Sequence, residues 1–239
     1  MNIIGVDCAT KEINIGLALA SFQNGKGKIL EVKAGSETKP ALMIVKDWLP
    51  RASLTLIAID APLGWPIQMG SELHSHKAGV CIDIVPDKLF SRYTDREIKR
   101  RLDKKPLEVG ANLIARTAHA ALQFLGKLRH DTGLAIPLAW NHSKITETSA
   151  IEVYPAATLK AMGANGGSPL SAIQKDGSLY INVDEENLNT HKKDAIVCIF
   201  AAIDFLNGKC TQIARHKKEI VEKEGWIWVR SNTQIKARK

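Results

Sequence analysis

Ile3-Ile4-Gly5-Val6-Asp7-Cys8-Ala9-Thr10-Lys11, followed at once by Ile13-Asn14-Ile15-Gly16-Leu17-Ala18-Leu19-Ala20, decides how the rest of the chain is read. An apolar run ending in an aspartate, a polar turn and a second apolar run make a hairpin. The carboxylate stands at the open end of the first strand. A charge there is expensive if buried alone, so it must be solvated, hydrogen-bonded or bound to a cation.

Beyond the turn Asn24-Gly25-Lys26-Gly27, residues 28–34 read as a third strand, which completes an antiparallel meander. Ala41, Leu42, Ile44, Val45, Trp48 and Leu49 recur at helical spacing behind Pro40. Leu54-Thr55-Leu56-Ile57-Ala58-Ile59 is then an unbroken apolar run of strand length, ending in Asp60-Ala61-Pro62. Strand, helix, strand implies a parallel crossover, and strands buried on both faces have this continuous pattern. Residues 64–106 are irregular and carry His74 and His76, whose spacing lacks the partners of a metal motif. The periodicity predicts a long helix from about Leu107 to Leu128 and a strand over 149–154, stopped by Pro155. It also predicts a helix from a capping Thr190 to Leu206 and an amphipathic helix over Thr211 to Glu224; Leu179 to Val183 could be a short strand.

The expected fold is therefore α/β, one domain over residues 1–239 with a helical and loop insertion at about 64–106. Its five-stranded mixed sheet has three antiparallel strands plus two parallel ones, flanked by helices. A chain of 239 residues, 45% hydrophobic and 24% charged, can bury a sizeable core without disulfides. Its four cysteines are dispersed with no C-x-x-C pair, which argues against a zinc ribbon and fits a reducing compartment. The start lacks a basic n-region and no apolar run reaches membrane-spanning length, so the expectation is a cytoplasmic protein with no membrane partner. Neither G-x-x-x-x-G-K-[ST] nor G-x-G-x-x-G occurs, so no nucleotide loop is signalled.

The net charge of +8 is unevenly placed. Between Lys88 and Lys105 stand eight basic residues against Asp95, Glu97 and Asp103, and the last ten residues add Arg230, Lys236, Arg238 and Lys239. Such segments favour a polyanionic partner such as nucleic acid; a solvated helix face and a tail is the plainer reading. If the first stretch is helical, Arg92, Arg96 and Arg100 share a face and form a candidate phosphate track.

Asp7, Asp60 and Glu152 each stand at or near the C-terminal end of an apolar strand, where open α/β sheets bind ligands. A fourth acid, Asp194, shares a helix face with Val197, Cys198, Ala201 and Phe205, which turns it toward the sheet. Each acid has a structural explanation too, as a turn cap or a helix-dipole partner. Glu152 is the hardest to explain that way, inside Ala150-Ile151-Glu152-Val153. Four converging carboxylates repel one another unless cations neutralise them. An all-oxygen ligand set favours two Mg²⁺ or Mn²⁺ ions, which suit phosphodiester hydrolysis. His191, beside Lys192-Lys193 at the start of the Asp194 helix, could protonate a leaving group or contact a phosphate. Trp65 could stack on a base, or anchor the core as Trp140, Trp226 and Trp228 could.

The order of elements resembles the ribonuclease H-like fold. Gly5-Val6-Asp7 with Thr10-Lys11 and Ile15-Gly16-Leu17-Ala18 looks like the opening hairpin of Holliday-junction resolvases and their relatives. More closely, the chain resembles a family of predicted nucleases of this fold, domain of unknown function 429. The matching segments are Gly5-Val6-Asp7, Ile59-Asp60-Ala61-Pro62-Leu63-Gly64, Arg92 to Arg96, Ile151-Glu152-Val153-Tyr154-Pro155, Lys193-Asp194-Ala195 and Glu224-Gly225-Trp226-Ile227. The resemblance implies a metal-dependent nuclease with Asp7, Asp60, Glu152 and Asp194 as ligands and catalytic acids. Thr10, Lys11, Trp65, Arg92, Arg96, Arg100, His191 and Lys193 are then the candidate substrate contacts. Two rival readings stand beside it. A non-catalytic nucleic-acid-binding or scaffold module would keep the basic stretches without converging acids. An actin-like ATPase needs a glycine in its D-x-G-[ST] turn, where this chain has Asp7-Cys8-Ala9-Thr10.

Overall fold

The computed structural model describes residues 1–49, 54–110, 112–164 and 167–231. Strands β1 (Asn2–Asp7), β2 (Gly16–Gln23) and β3 (Lys26–Ala34) open the chain, followed by α1 (Ala41–Trp48) and β4 (Thr55–Asp60). Three helices, α2 (Ile67–His74), α3 (Pro86–Phe90) and α4 (Tyr93–Leu102), fill the insertion before α5 (Asn112–Thr132). Then come β5 (Ser149–Glu152), α6 (Pro155–Ala161), α7 (Pro169–Asp176), β6 (Leu179–Tyr180), α8 (Thr190–Leu206) and α9 (Lys218–Glu224).

The sheet order is β5-β4-β1-β2-β3-β6. β2 runs antiparallel to both β1 and β3, while β4 and β5 run parallel to β1. The first five strands thus have the ribonuclease H-like arrangement. The sheet has six strands rather than the expected five, because Leu179–Tyr180 pairs parallel with Gly27–Lys28 at the β3 edge. That strand falls within the stretch Leu179 to Val183, read from sequence as a possible short strand but not counted in the sheet.

β1 and β4 are apolar throughout because helices cover both faces of the sheet. On one face, Ile3, Ala18, Ala58, Ile151 and Val153 pack under α8. On the other, Ile4, Val6, Ile57, Ile59 and Ala150 pack under α1 and α5. Every residue of α8 from Ala195 to Phe205 is buried, so it is a core helix with little amphipathic signal. Its close seating depends on two glycines. A Cβ on Gly5 would collide with the Ala195 carbonyl, and one on Gly16 with the His191 carbonyl. Both glycines let the helix backbone rest on the strand backbones.

Several boundaries differ from the sequence reading. Glu12–Asn14 forms a 3-10 turn, so β2 starts at Gly16 and Ile13 is left 70% exposed. α5 begins at Asn112, since Pro106 and the turn at Val109-Gly110 keep the preceding segment non-helical. The cap of α8 is Asn189, whose side chain accepts from the Lys192 amide, rather than Thr190. The expected helix from Thr211 shortens to α9, preceded by a 3-10 turn at Arg215–Lys217. Of the C-terminal basic residues, Arg230 pairs with Asp204 and Asp176, while Lys236, Arg238 and Lys239 lie outside the described residues. Among the described residues no helix is long and apolar enough to cross a membrane.

Candidate active site

Strand register decides which acids meet. Asp7 lies directly beside Asp60 in the parallel β1–β4 pair. Both have the side-chain parity of Ile3, Gly5 and Ala58, the face covered by α8. The N-terminal turn of α8 comes down on that face, held close by Gly5 and Gly16. There His191 Nδ1 lies 2.7 Å from Asp7 Oδ2, and Asp194 follows one turn later. Glu152 does not join them. Its register partner on β4 is Ile59, not Asp60, so its side chain has the parity of Val6 and Ile59 and leaves the opposite face. Of the four carboxylates expected to converge, Asp7, Asp60 and Asp194 meet under α8; Glu152 leaves the other face of the sheet, yet it lines the same cleft and its charge still reaches Asp60.

The three acids show the cost of standing together. Burial, opposed by the His191 hydrogen bond, holds the Asp7 carboxyl up at about 6. Burial and then the charges of Asp7, Asp194 and Glu152 push Asp60 well above the usual carboxylate range. Asp194 is raised by burial and pulled back by His191. Cys8, next to them, is pushed up to about 12 by burial and by the charges of Asp7 and Asp60, which rules out a thiolate nucleophile at neutral pH. Among the described residues, no three carboxylate, histidine or cysteine side chains form a ready-made metal cage. The donor set nevertheless fits a hard divalent cation: three oxygen acids, each unfavourable as a free charge, two at the ends of neighbouring strands and one in the first turns of α8.

Glu152 is built into a buried ionic network. Its Oε1 accepts from Arg92 Nη2 at 2.7 Å, and its Oε2 accepts from Arg92 Nη1 at 2.9 Å and from the Leu63 amide at 3.0 Å. Asp95 grips the far side of the same guanidinium through Nε and Nη2 and also caps α4 at the Arg92 amide. Glu224, 1% exposed, accepts from the Ile67 and Tyr93 amides, and its carbonyl accepts from Arg92 Nη1. Arg92 itself is 1% exposed, and Glu152 and Asp95 raise its pKa further against the opposing effect of burial. The network ties the insertion, the loop after Asp60, β5 and the C-terminal segment together. Asp95 and Glu224 were not named as site residues from sequence, although both lie in the quoted family segments Arg92 to Arg96 and Glu224-Gly225-Trp226-Ile227.

The three arginines expected to form a phosphate track differ in their surroundings. Arg92 is saturated and inaccessible. Arg96 donates to the Asp87 and Ser91 carbonyls, and Arg100 makes an exposed pair with Glu97 at 2.8 Å. Lys193 pairs with Glu185 at 3.2 Å. Thr10 and Lys11 stand exposed in the turn after β1. Trp65 is half-buried and does not line the cleft beside the acids. That cleft, of about 250 Å³, has Asp7 and Asp60 at one end and an apolar wall of Pro62, Leu107, Ile114 and Ile227.

A family model described as "Protein of unknown function (DUF429)" matches residues 5–219, and the chain belongs to that family. The matched span runs from the Gly5-Val6-Asp7 strand into α9. No curated protein matches the chain. A solved structure described as "T. thermophilus RuvC in complex with Holliday junction substrate" aligns at 14% identity and a TM-score of 0.42, covering 87% of this chain and 96% of that one.

Proposed function

We propose that the protein is a metal-dependent nuclease that hydrolyses phosphodiester bonds of nucleic acid at the face shared by Asp7, Asp60 and Asp194. The observation that carries this reading is the side-by-side register of Asp7 and Asp60 beneath the first turn of α8. All three acids are raised by burial, and Asp7 and Asp60 also by neighbouring carboxylates, so a cation among them would stabilise their charged forms. Mg²⁺ or Mn²⁺ bound there would supply Lewis acidity to a phosphoryl oxygen and a more acidic water. Asp7 is the central holder, since β1 lies between β2 and β4 and its carboxylate is flanked by Asp60's strand and α8's histidine. Glu152, engaged by Arg92 through both oxygens, is left out of the ligand set, so one ion is proposed in place of the two expected from sequence.

His191 holds Asp7 in place through one ring nitrogen and, at 39% exposure, keeps its second for a proton on the leaving oxygen. Gly5 and Gly16 set the distance at which this can happen. The basic surface proposed to hold the strand is the exposed Thr10-Lys11 turn beside the acids rather than Arg92, which is buried and fully bonded.

A panel of single-stranded, duplex and branched DNA and RNA, incubated with Mg²⁺ or Mn²⁺, tests the reading. Cleavage that disappears on chelation and in Asp7→Asn and Asp60→Asn is expected. Cleavage that survives both variants would refute the assignment.

A further inference from the structure

The cleft beside the acids has a composition that the cleavage chemistry does not explain. Its acids are Asp7, Asp60 and the arginine-bound Glu152; the rest of the lining includes Pro62, Leu107, Ile114, Tyr154 and Ile227. Leu107 leaves 68% of its surface exposed at the mouth, an apolar side chain turned to solvent beside an acid site. The cation in the lining is Arg92, and both ends of its guanidinium are already bonded to Glu152 and Asp95. Among the described residues the cleft therefore offers no free cation to a second phosphate. At about 250 Å³ it is smaller than the roughly 300–1,000 Å³ of ordinary drug-sized pockets. It has room for a single planar ring system, not for a stacked base pair. Tyr154, the residue that caps α6, is an aromatic residue of the same lining, and its hydroxyl is close enough to Asp60 to feel its charge.

Resting on the nuclease reading above, we infer that this cleft takes one unstacked nucleobase of the nucleotide whose phosphate lies at the acids. The substrate class is then a strand with an unpaired base at the cleavage position: a single strand, a frayed end, a loop or a branch point. A base held in duplex stacking must first be turned out, so unpaired bases enter at lower cost. The binding chemistry is stacking on Tyr154 and apolar contact with Ile114 and Leu107, which tolerates any base because each has a π-face. A free mononucleotide has the same base chemistry, and the test separates it from a strand.

Binding is measured with a fluorescent single-stranded oligonucleotide and its fully paired duplex in Ca²⁺, followed by an abasic scan in which one base at a time is removed and the backbone kept. The expected result is preference for the single strand, and at one scanned position a loss of about tenfold or more on base removal. Leu107→Ser, an uncharged change at an exposed position, should reduce the sensitivity at that position while Mn²⁺ binding by calorimetry stays at the parent value. Equal binding of duplex and single strand with a flat abasic scan would overturn the inference and leave the nuclease reading standing. A mononucleotide that competes as well as the oligonucleotide would assign the cleft to free nucleotides and overturn the strand. No binding of any nucleic acid, with Mn²⁺ still bound, would overturn the nuclease reading and this inference with it.

Discussion

Asp60 and Glu152 stand on adjacent parallel strands, yet their side chains leave opposite faces of the sheet. Glu152 is in register with Ile59, one residue short of Asp60. That offset of one residue separates the acid available to a cation from the acid committed to an arginine.

The buried pair sets the first prediction. Arg92→Met removes the guanidinium that faces Glu152 and Asp95, and leaves these two carboxylates without it at 3% and 2% exposure. Breaking a buried pair in this way costs about 3–5 kcal/mol. Urea unfolding should show that loss. A change within about 1 kcal/mol would mean that the network is not closed in solution.

Asp7 makes stability depend on pH in an unusual direction. Its carboxyl titrates at about 6 in the folded protein and near 3.8 in an unfolded chain, so between those two values the native state binds more protons than the unfolded one. Stability of the metal-free protein therefore falls as pH rises through that window, and the penalty is complete above it. Asp7→Asn removes it: the variant should gain up to about 3 kcal/mol at neutral pH, less the lost His191 bond, and nothing below the window. Denaturation on either side of the window checks the sign; a parent protein that gains stability relative to the variant as pH rises would contradict it.

Gly16→Ala places a methyl group on the His191 carbonyl. α8 must lift at the end that carries His191 and Asp194. The expected cost is about 1–3 kcal/mol, the range of overpacking. The 2.7 Å contact between His191 and Asp7 should lengthen with it. The Asp7 carboxyl, which that hydrogen bond holds down, should then titrate higher by NMR, and an unshifted curve would show that the glycine does not set the spacing.

Arg100→Ala should be silent in both stability and metal binding. Its pair with Glu97 is exposed, at 63% for the arginine side chain, and such pairs contribute about 0–1 kcal/mol. An unchanged salt dependence of nucleic-acid binding would agree with its placement; a slope reduced by about one would make Arg100 a phosphate contact.

Much of this arrangement was legible in the chain. Asp7 and Asp60 stood out because each ends an unbroken apolar run, which puts a charge where burial alone would be costly. Both strands fell within a residue or two of their expected bounds. Asp194 could be given a face because helical spacing fixes faces locally. Glu152 could not, because the face of a strand residue relative to its neighbour depends on register, and register is a long-range property. Arg92 misled for a related reason. Among Arg96, Lys99, Arg100 and Arg101 it looks like surface charge, and the partners that bury it, Glu152 and the Glu224 carbonyl, lie 60 and 132 residues away. Gly5 and Gly16 were visible as motif letters, but the need for them appears only once α8 is seen resting on the strands.

One divalent cation held by Asp7, Asp60 and Asp194, and not by Glu152, is the centre of the proposed chemistry. Calorimetric titration of Mn²⁺ into the purified protein and into Asp60→Asn tests it most directly. The predicted result is a stoichiometry of one for the parent and loss of binding in the variant. Two ions bound by the parent, or Mn²⁺ binding in Asp60→Asn at the parent's affinity, would contradict it.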